Sequence, residues 1–177
     1  MTPRKARSNG WAGVALVSVL AACSGRSQSA SSDSGAPPHI DPCSVLSQSD
    51  IRTALGAAPA AGKRDNMGLT DDCDWTLPNG ADVHVTFFNP VGAAVMYTPQ
   101  VSSRTPRDKT YESISGLGDQ AVYRTDATPV ISVSESVEVV KGKQHFDLHY
   151  VDATPKATGP SKDTMMSLAR TVLGRVP

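Results

Sequence analysis

Pro78-Asn79-Gly80-Ala81-Asp82-Val83-His84-Val85-Thr86-Phe87-Phe88 is the stretch that decides the fold. Asn-Gly between two apolar runs is a strong hairpin signal, because tight β-turns demand backbone angles that these two residues tolerate. Behind the turn the side chains alternate. Val83, Val85 and Phe87 fall on one side, and His84, Thr86 and Phe88 on the other. That period of two marks a strand with one buried and one polar face. Ahead of the turn, residues 73–77 read as a short partner strand, and residues 62–68 as a polar turn region.

Further strands follow. Gly116-Leu117-Gly118-Asp119 reads as a turn leading into a strand over residues 120–124. Residues 130–140 and 144–151 form two more, joined through Lys141-Gly142-Lys143, with Phe146, Leu148 and Tyr150 on the buried face. Residues 91–103 suit a loose helix or a loop. Helices close the domain at both ends. Ser47 with Asp50 three residues on starts the first, Ile51, Ala54 and Leu55 form its stripe, and Gly56 stops it. Ser161 caps the last, whose apolar stripe is Met165, Leu168, Ala169, Val172 and Leu173. The order predicts an α+β domain over residues 41–177: a mainly antiparallel sheet with an N-terminal and a C-terminal helix packed on one face.

The residues before this domain have another character. Residues 1–22 carry Arg4, Lys5 and Arg7, no acids, and a 12-residue apolar stretch from Trp11 to Ala22. A bilayer core needs roughly 20 such residues, so the segment is too short to span one and reads as an export signal. It ends in Leu20-Ala21-Ala22-Cys23. A Leu, two small residues and a Cys resemble the lipobox of bacterial lipoproteins. The resemblance implies a diacylglyceryl group on the Cys23 thiol, cleavage before Cys23 and acylation of the new terminus. Residues 24–40 are rich in Ser, Gly, Ala and Pro and read as a disordered tether. Its flexible-chain reach is about 20–25 Å.

With Cys23 lipidated, Cys43 and Cys73 remain as an even pair. Export places them where thiols oxidise, so a disulfide is the expectation. Neither a close Cys spacing nor a second ligand pair points to zinc, and no metal or cofactor is expected.

The chain has 17 basic and 17 acidic residues. Three of the basic ones leave with the leader, so the mature protein is acidic by about three charges. With aromatics at only 5%, it is a poor match for nucleic acid and for attraction to anionic lipid.

Candidate site residues are few. His145, Asp147 and His149 share one side of a strand, a solvated polar face by alternation, and His84 can approach from a neighbouring strand. Asp71, Asp72 and Asp74 read as an acidic turn around Cys73. Trp75 suits either a ligand groove or the core beside the disulfide. No nucleophile elbow, zinc-protease helix, phosphate loop or dinucleotide loop occurs in the sequence.

Taken in order, Pro42-Cys43-Ser44-Val45-Leu46, Ala54-Leu55-Gly56, Cys73-Asp74-Trp75 and Gly116-Leu117-Gly118-Asp119-Gln120-Ala121 resemble a family of actinobacterial secreted lipoproteins of unknown function. Val45 stands where the family usually has Leu. The resemblance implies the Cys43–Cys73 bridge and an anchored, extracytoplasmic domain, and it implies no activity. The expectation is a non-catalytic binding or accessory module on the outer face of the cell membrane, taking an envelope protein or a small apolar or cell-wall ligand. Trp75, His84, His145 and His149 are its candidate binding residues. The alternative is a metal-dependent or hydrolytic envelope enzyme using the His145/His149 face, which requires His84, His145 and His149 to converge.

Overall fold

A computed structural model of the chain describes residues 39–94, 111–128 and 132–177. The leader, Cys23, most of the tether and the greater part of residues 91–103 lie outside the described residues.

Among the described residues seven antiparallel strands form one sheet in the order β1-β2-β3-β7-β6-β5-β4. They are β1 (Lys63–Asn66), β2 (Thr70–Thr76), β3 (Asp82–Phe88), β4 (Tyr111–Ile114), β5 (Gln120–Thr128), β6 (Ser132–Lys141) and β7 (Gln144–Asp152). A 3₁₀ turn at Pro42–Ser44, helix α1 (Gln48–Leu55) and helix α2 (Lys162–Arg175) cover one face. The α+β architecture, the helices at both ends and the disulfide are as expected.

Local chemistry explains the elements. Between β2 and β3, Gly80 N donates to Leu77 O at 2.9 Å and Leu77 N to Ala81 O at 2.7 Å. Gly80 takes φ 85°, which closes a three-residue loop. The β6–β7 turn puts Gly142 at φ 58° in the first of its two loop positions. At α1, Ser47 Oγ accepts from Asp50 N at 3.1 Å while Asp50 Oδ2 accepts from Ser47 N at 2.7 Å, a complete capping box. Gly56 ends the helix at φ 77°.

Three elements differ from the sequence reading, one of them edge strand β4, which falls in a stretch to which that reading assigned no strand. Residues 63–66 form edge strand β1, although Lys-Arg-Asp-Asn has no apolar residue to signal a strand. Its pairing with β2 supplies what propensity does not. Asp71, Asp72 and Asp74 lie within β2, not in a turn. Each has a partner there: Arg64 on Asp71 at 3.2 Å, Thr70 on Asp72 at 2.8 Å and His84 on Asp74 at 2.5 Å.

The core lies between the sheet and the helices. Val83, Val85, Phe146, Leu148, Val137 and Val139 meet Leu46, Ile51, Met165, Leu168, Ala169 and Val172. Burial of each large side chain contributes roughly 1.5–3 kcal/mol. Met166 joins the α2 stripe, while Leu173 is only partly buried. Cys43 and Cys73 are bridged, with Cα atoms 5.1 Å apart.

The Gly-Leu-Gly-Asp stretch is an architectural turn. Leu117 plugs into the core, Asp119 N donates to Val140 O at 2.7 Å, and Asp119 Oδ2 accepts from Gly142 N at 2.6 Å. A side chain on Gly118 would come within 2.5 Å of Val140 O. The motif thus seats the start of β5 against the β6–β7 turn.

Candidate functional site

The sheet face away from the helices carries a polar row across six strands. Cross-strand pairing sets Asp74, His84, His149, Ser136, Arg124 and Tyr111 side by side. A second row, one pleat along, runs Asp72, Thr86, Asp147, Glu138, Val122 and Ser113. Strand alternation alone dictates this, since every second residue of β3, β6 and β7 faces the core.

The structure brings His84 and His149 together, with ring centroids 5.9 Å apart. Each imidazole has its own partner. His84 Nδ1 lies 2.5 Å from Asp74 Oδ1, and His149 Nε2 lies 2.5 Å from Ser134 Oγ. His145 stands apart, four residues along β7, a strand rise of roughly 13 Å. It stacks on Phe88 at 4.4 Å and reaches Glu138 Oε1 at 2.8 Å through Nε2. The three histidines do not converge. Among the described residues no group of three or more His, Cys, Asp or Glu side chains is arranged to hold a metal ion.

The face is less solvated than alternation suggests. His145 is only 3% exposed and Ser136 is equally buried. Burial pushes the Asp147 carboxyl up to about 6, against the nearby Arg124 charge, with Glu138 adding to the rise. Asp147 Oδ1 is buried without a hydrogen-bond partner. Burial also pushes His149 down to about 4, helped by His84 and Arg124, so it is a neutral imidazole at pH 7. Glu135 is also buried, on the core face of β6, where Tyr123 and Thr125 donate to its carboxylate. Burial and that contact hold the Tyr123 phenol up at about 12.

No family model, curated protein or solved structure matches the chain. The site is therefore read from its own chemistry.

Trp75 belongs to the core. It is 2% exposed, and Gly62 passes so close that an added Cβ would lie 2.7 Å from both Trp75 Nε1 and Cys73 Sγ. It lines no groove. The cavities lie on the helical side. One of about 420 Å³ opens between the end of α1, the β2–β3 turn and residues 158–160. Leu55, Ala57, Leu77 and Pro78 give it apolar walls, and Asn79 and Thr158 give it polar ones. A second of similar size lies along α1 and α2, lined by Asp50, Thr53, Ser167 and Thr171 among others.

Sequence reasoning missed Ser134, Ser136, Glu138 and Arg124. The signal for the β6 residues was present in Ser132-Val133-Ser134-Glu135-Ser136-Val137-Glu138, where Val133 and Val137 mark the core side. The cavities gave no signal, because residues from four separate segments build the first one.

Proposed function

We propose that this chain is an envelope lipoprotein, lipidated at Cys23 and held on the extracytoplasmic face of the cell membrane, of the actinobacterial family its motifs resemble. Its folded domain is a non-catalytic binding module. The single observation that carries the binding role is the cavity beside the β2–β3 turn. At about 420 Å³ it has the size of small-ligand sites, and its mixed walls suit a ligand with an apolar body and one hydrogen-bonding end.

Native mass spectrometry of the mature protein from its own envelope tests this. A copurifying mass that disappears in Ala57→Trp supports a ligand seat. A bare protein removes the ligand and leaves a protein partner as the remaining role. The anchor has its own test: Cys23→Ala is expected to leave the membrane fraction, and retention there overturns the anchor.

A second reading, an envelope hydrolase, draws on the 2.5 Å contact between Ser134 Oγ and His149 Nε2. The pair resembles a nucleophile and its base. It is weakly equipped for that work, because the orienting carboxylate Asp74 sits on His84 and an imidazole at about 4 is a poor base at neutral pH. A fluorophosphonate probe that labels the wild type and not Ser134→Ala would favour the hydrolase; no labelling favours the binding module.

A further inference from the structure

Among the described residues the exposed large hydrophobic side chains are Met67 at 73%, Leu69 at 44% and Val91 at 62%. Isolated exposed apolar residues are ordinary, but these share one end of the sheet. Met67 and Leu69 form the tip between β1 and β2. Val91 belongs to the helical turn over residues 90–94 that follows β3.

The tip is braced. Met67 N donates to Thr70 O at 3.1 Å, and Gly68 N to Asn66 Oδ1 at 3.0 Å. Asn89 ties the two segments together, its backbone N donating to Leu69 O at 3.0 Å and its Nδ2 to Gly68 O at 2.7 Å. Asn89 Oδ1 accepts from Gly92 N at 2.8 Å. Gly92 lies so near that an added Cβ would come within 2.4 Å of Leu69 O. The apolar tip is thus presented on a fixed frame.

The start of the described chain lies at this same end. His39 Nε2 is 2.8 Å from Arg64, and His39 Nδ1 is 3.6 Å from Asp71, the residue paired with Asn66 beside the tip. From there residues 40–42 run inward to Cys43 and its bridge to β2. The 38 residues that precede His39 in the sequence therefore join the domain beside Met67 and Leu69.

We propose that the Met67–Leu69 tip and Val91 form a lipid-docking wedge, which enters the headgroup and acyl boundary of the membrane that holds the anchor. The inference rests on the anchored-lipoprotein reading. Apolar side chains suit the boundary region, and an acidic mature chain leaves insertion, not charge attraction, as the attractive force. A tether keeps the wedge at high local concentration near the bilayer, so three side chains suffice to bias orientation where they could not recruit a free protein. The cavity beside the β2–β3 turn, at the far end of the sheet, then points away from the membrane.

The test uses full-length lipidated protein in phosphatidylcholine vesicles. Met67→Cys and Ala153→Cys, the latter beyond the opposite end of β7, each receive an environment-sensitive fluorophore. Lipid on Cys23 and the bridge leave the new thiol as the labelling site. The label at position 67 is expected to shift to the blue and lose most of its emission to doxyl-labelled lipid, while the label at 153 does neither. Protein that floats with the vesicles but keeps a water-exposed label at 67 overturns the wedge and leaves the anchor standing. Protein that carries no lipid and does not float overturns both. A label at 67 that shifts only in native envelope, never in protein-free vesicles, assigns the patch to a protein partner and overturns lipid docking.

Discussion

Arg175 grips Asp50 with both ends of its guanidinium: Nη1 donates to Oδ2 at 2.7 Å and Nη2 to Oδ1 at 3.1 Å, while Nη1 also reaches Val45 O at 2.8 Å. The last turn of α2 is thereby fastened to the first turn of α1. Asp50 serves twice, since the same carboxylate completes the capping box with Ser47.

Arg175→Ala removes the tie and keeps the cap, and it is expected to cost about 1–2 kcal/mol, the arginine being partly exposed. Asp50→Ala removes both and is expected to cost more. Denaturant midpoints check the order. The Arg175 guanidinium holds the Asp50 carboxyl well below the usual carboxylate range. Its contribution is therefore complete above about pH 4 and is lost as the pH falls below that. The gap between wild type and Asp50→Ala should narrow in acid; a pH-independent gap would assign the loss to packing alone.

Loss of the bridge should be expensive. Cys43 and Cys73 are 30 residues apart, and the chain-entropy relation gives about 3–4 kcal/mol for a loop of that size. Cys43→Ser, or reduction of the wild type, is expected to lower the melting temperature by well over 5 °C. Equal melting curves before and after reduction would show that the bridge carries no stability.

Gly62 and Gly174 make a matched pair. A Cβ on Gly62 would collide with Cys73 Sγ and Trp75 Nε1, whereas one on Gly174, in α2, meets nothing within 4 Å. Gly62→Ala is expected to destabilise by roughly 1–3 kcal/mol through overpacking. Gly174→Ala is expected to stabilise by about 0.5–1 kcal/mol, as alanine suits a helix better. Calorimetry of the two variants should move in opposite directions.

Much of this was legible beforehand, and the reasons can be named. Alternation in 81–88 and 144–151 fixed which side chains face the core, because a strand has only two faces. The capping residues Ser47, Asp50 and Gly56 act over three or four positions and leave a local mark. β1 and β4 escaped notice because they are short edge strands with little apolar content, stabilised by partners far along the chain. Glu135 sits on the core side of its strand only because Tyr123 and Thr125, from β5, satisfy it. The contacts of His84 and His149 depended on a strand register that no local pattern encodes.

The polar face predicts an unusual pH profile. Asp147, pushed up to about 6 by burial, binds its proton more tightly in the folded chain than in the unfolded one. Its contribution to stability falls as pH rises from about 4 to 6. His149, pushed down to about 4 by burial, behaves oppositely, and its contribution falls as pH drops from about 6.5 to 4. Each amounts to at most about 3 kcal/mol, and over the shared window they offset one another. Asp147→Asn should therefore be acid-sensitive there, and His149→Gln should lose stability as pH rises. Denaturant midpoints between pH 4 and 7 check both, and matching slopes in the two variants would refute the assignment. Arg124, Glu138, His145 and His84 all act electrostatically on Asp147, so their substitution should shift the profiles.

The strand order has a kinetic consequence. β1, β2 and β3 pair with their sequence neighbours, as do β4, β5, β6 and β7, so each group can zip up locally. One pairing, β3 with β7, joins the two groups, and Phe87 opposite Phe146 lies across it. Closing that seam brings together segments far apart in the chain, Phe87 and Phe146 being 59 residues apart, so its entropy cost is met late in folding. Substitutions along the seam should therefore speed unfolding more than they slow folding. Until it closes, β3 and β7 are two unpaired apolar edges in the same molecule, and that interval is when a newly made chain is most exposed to aggregation.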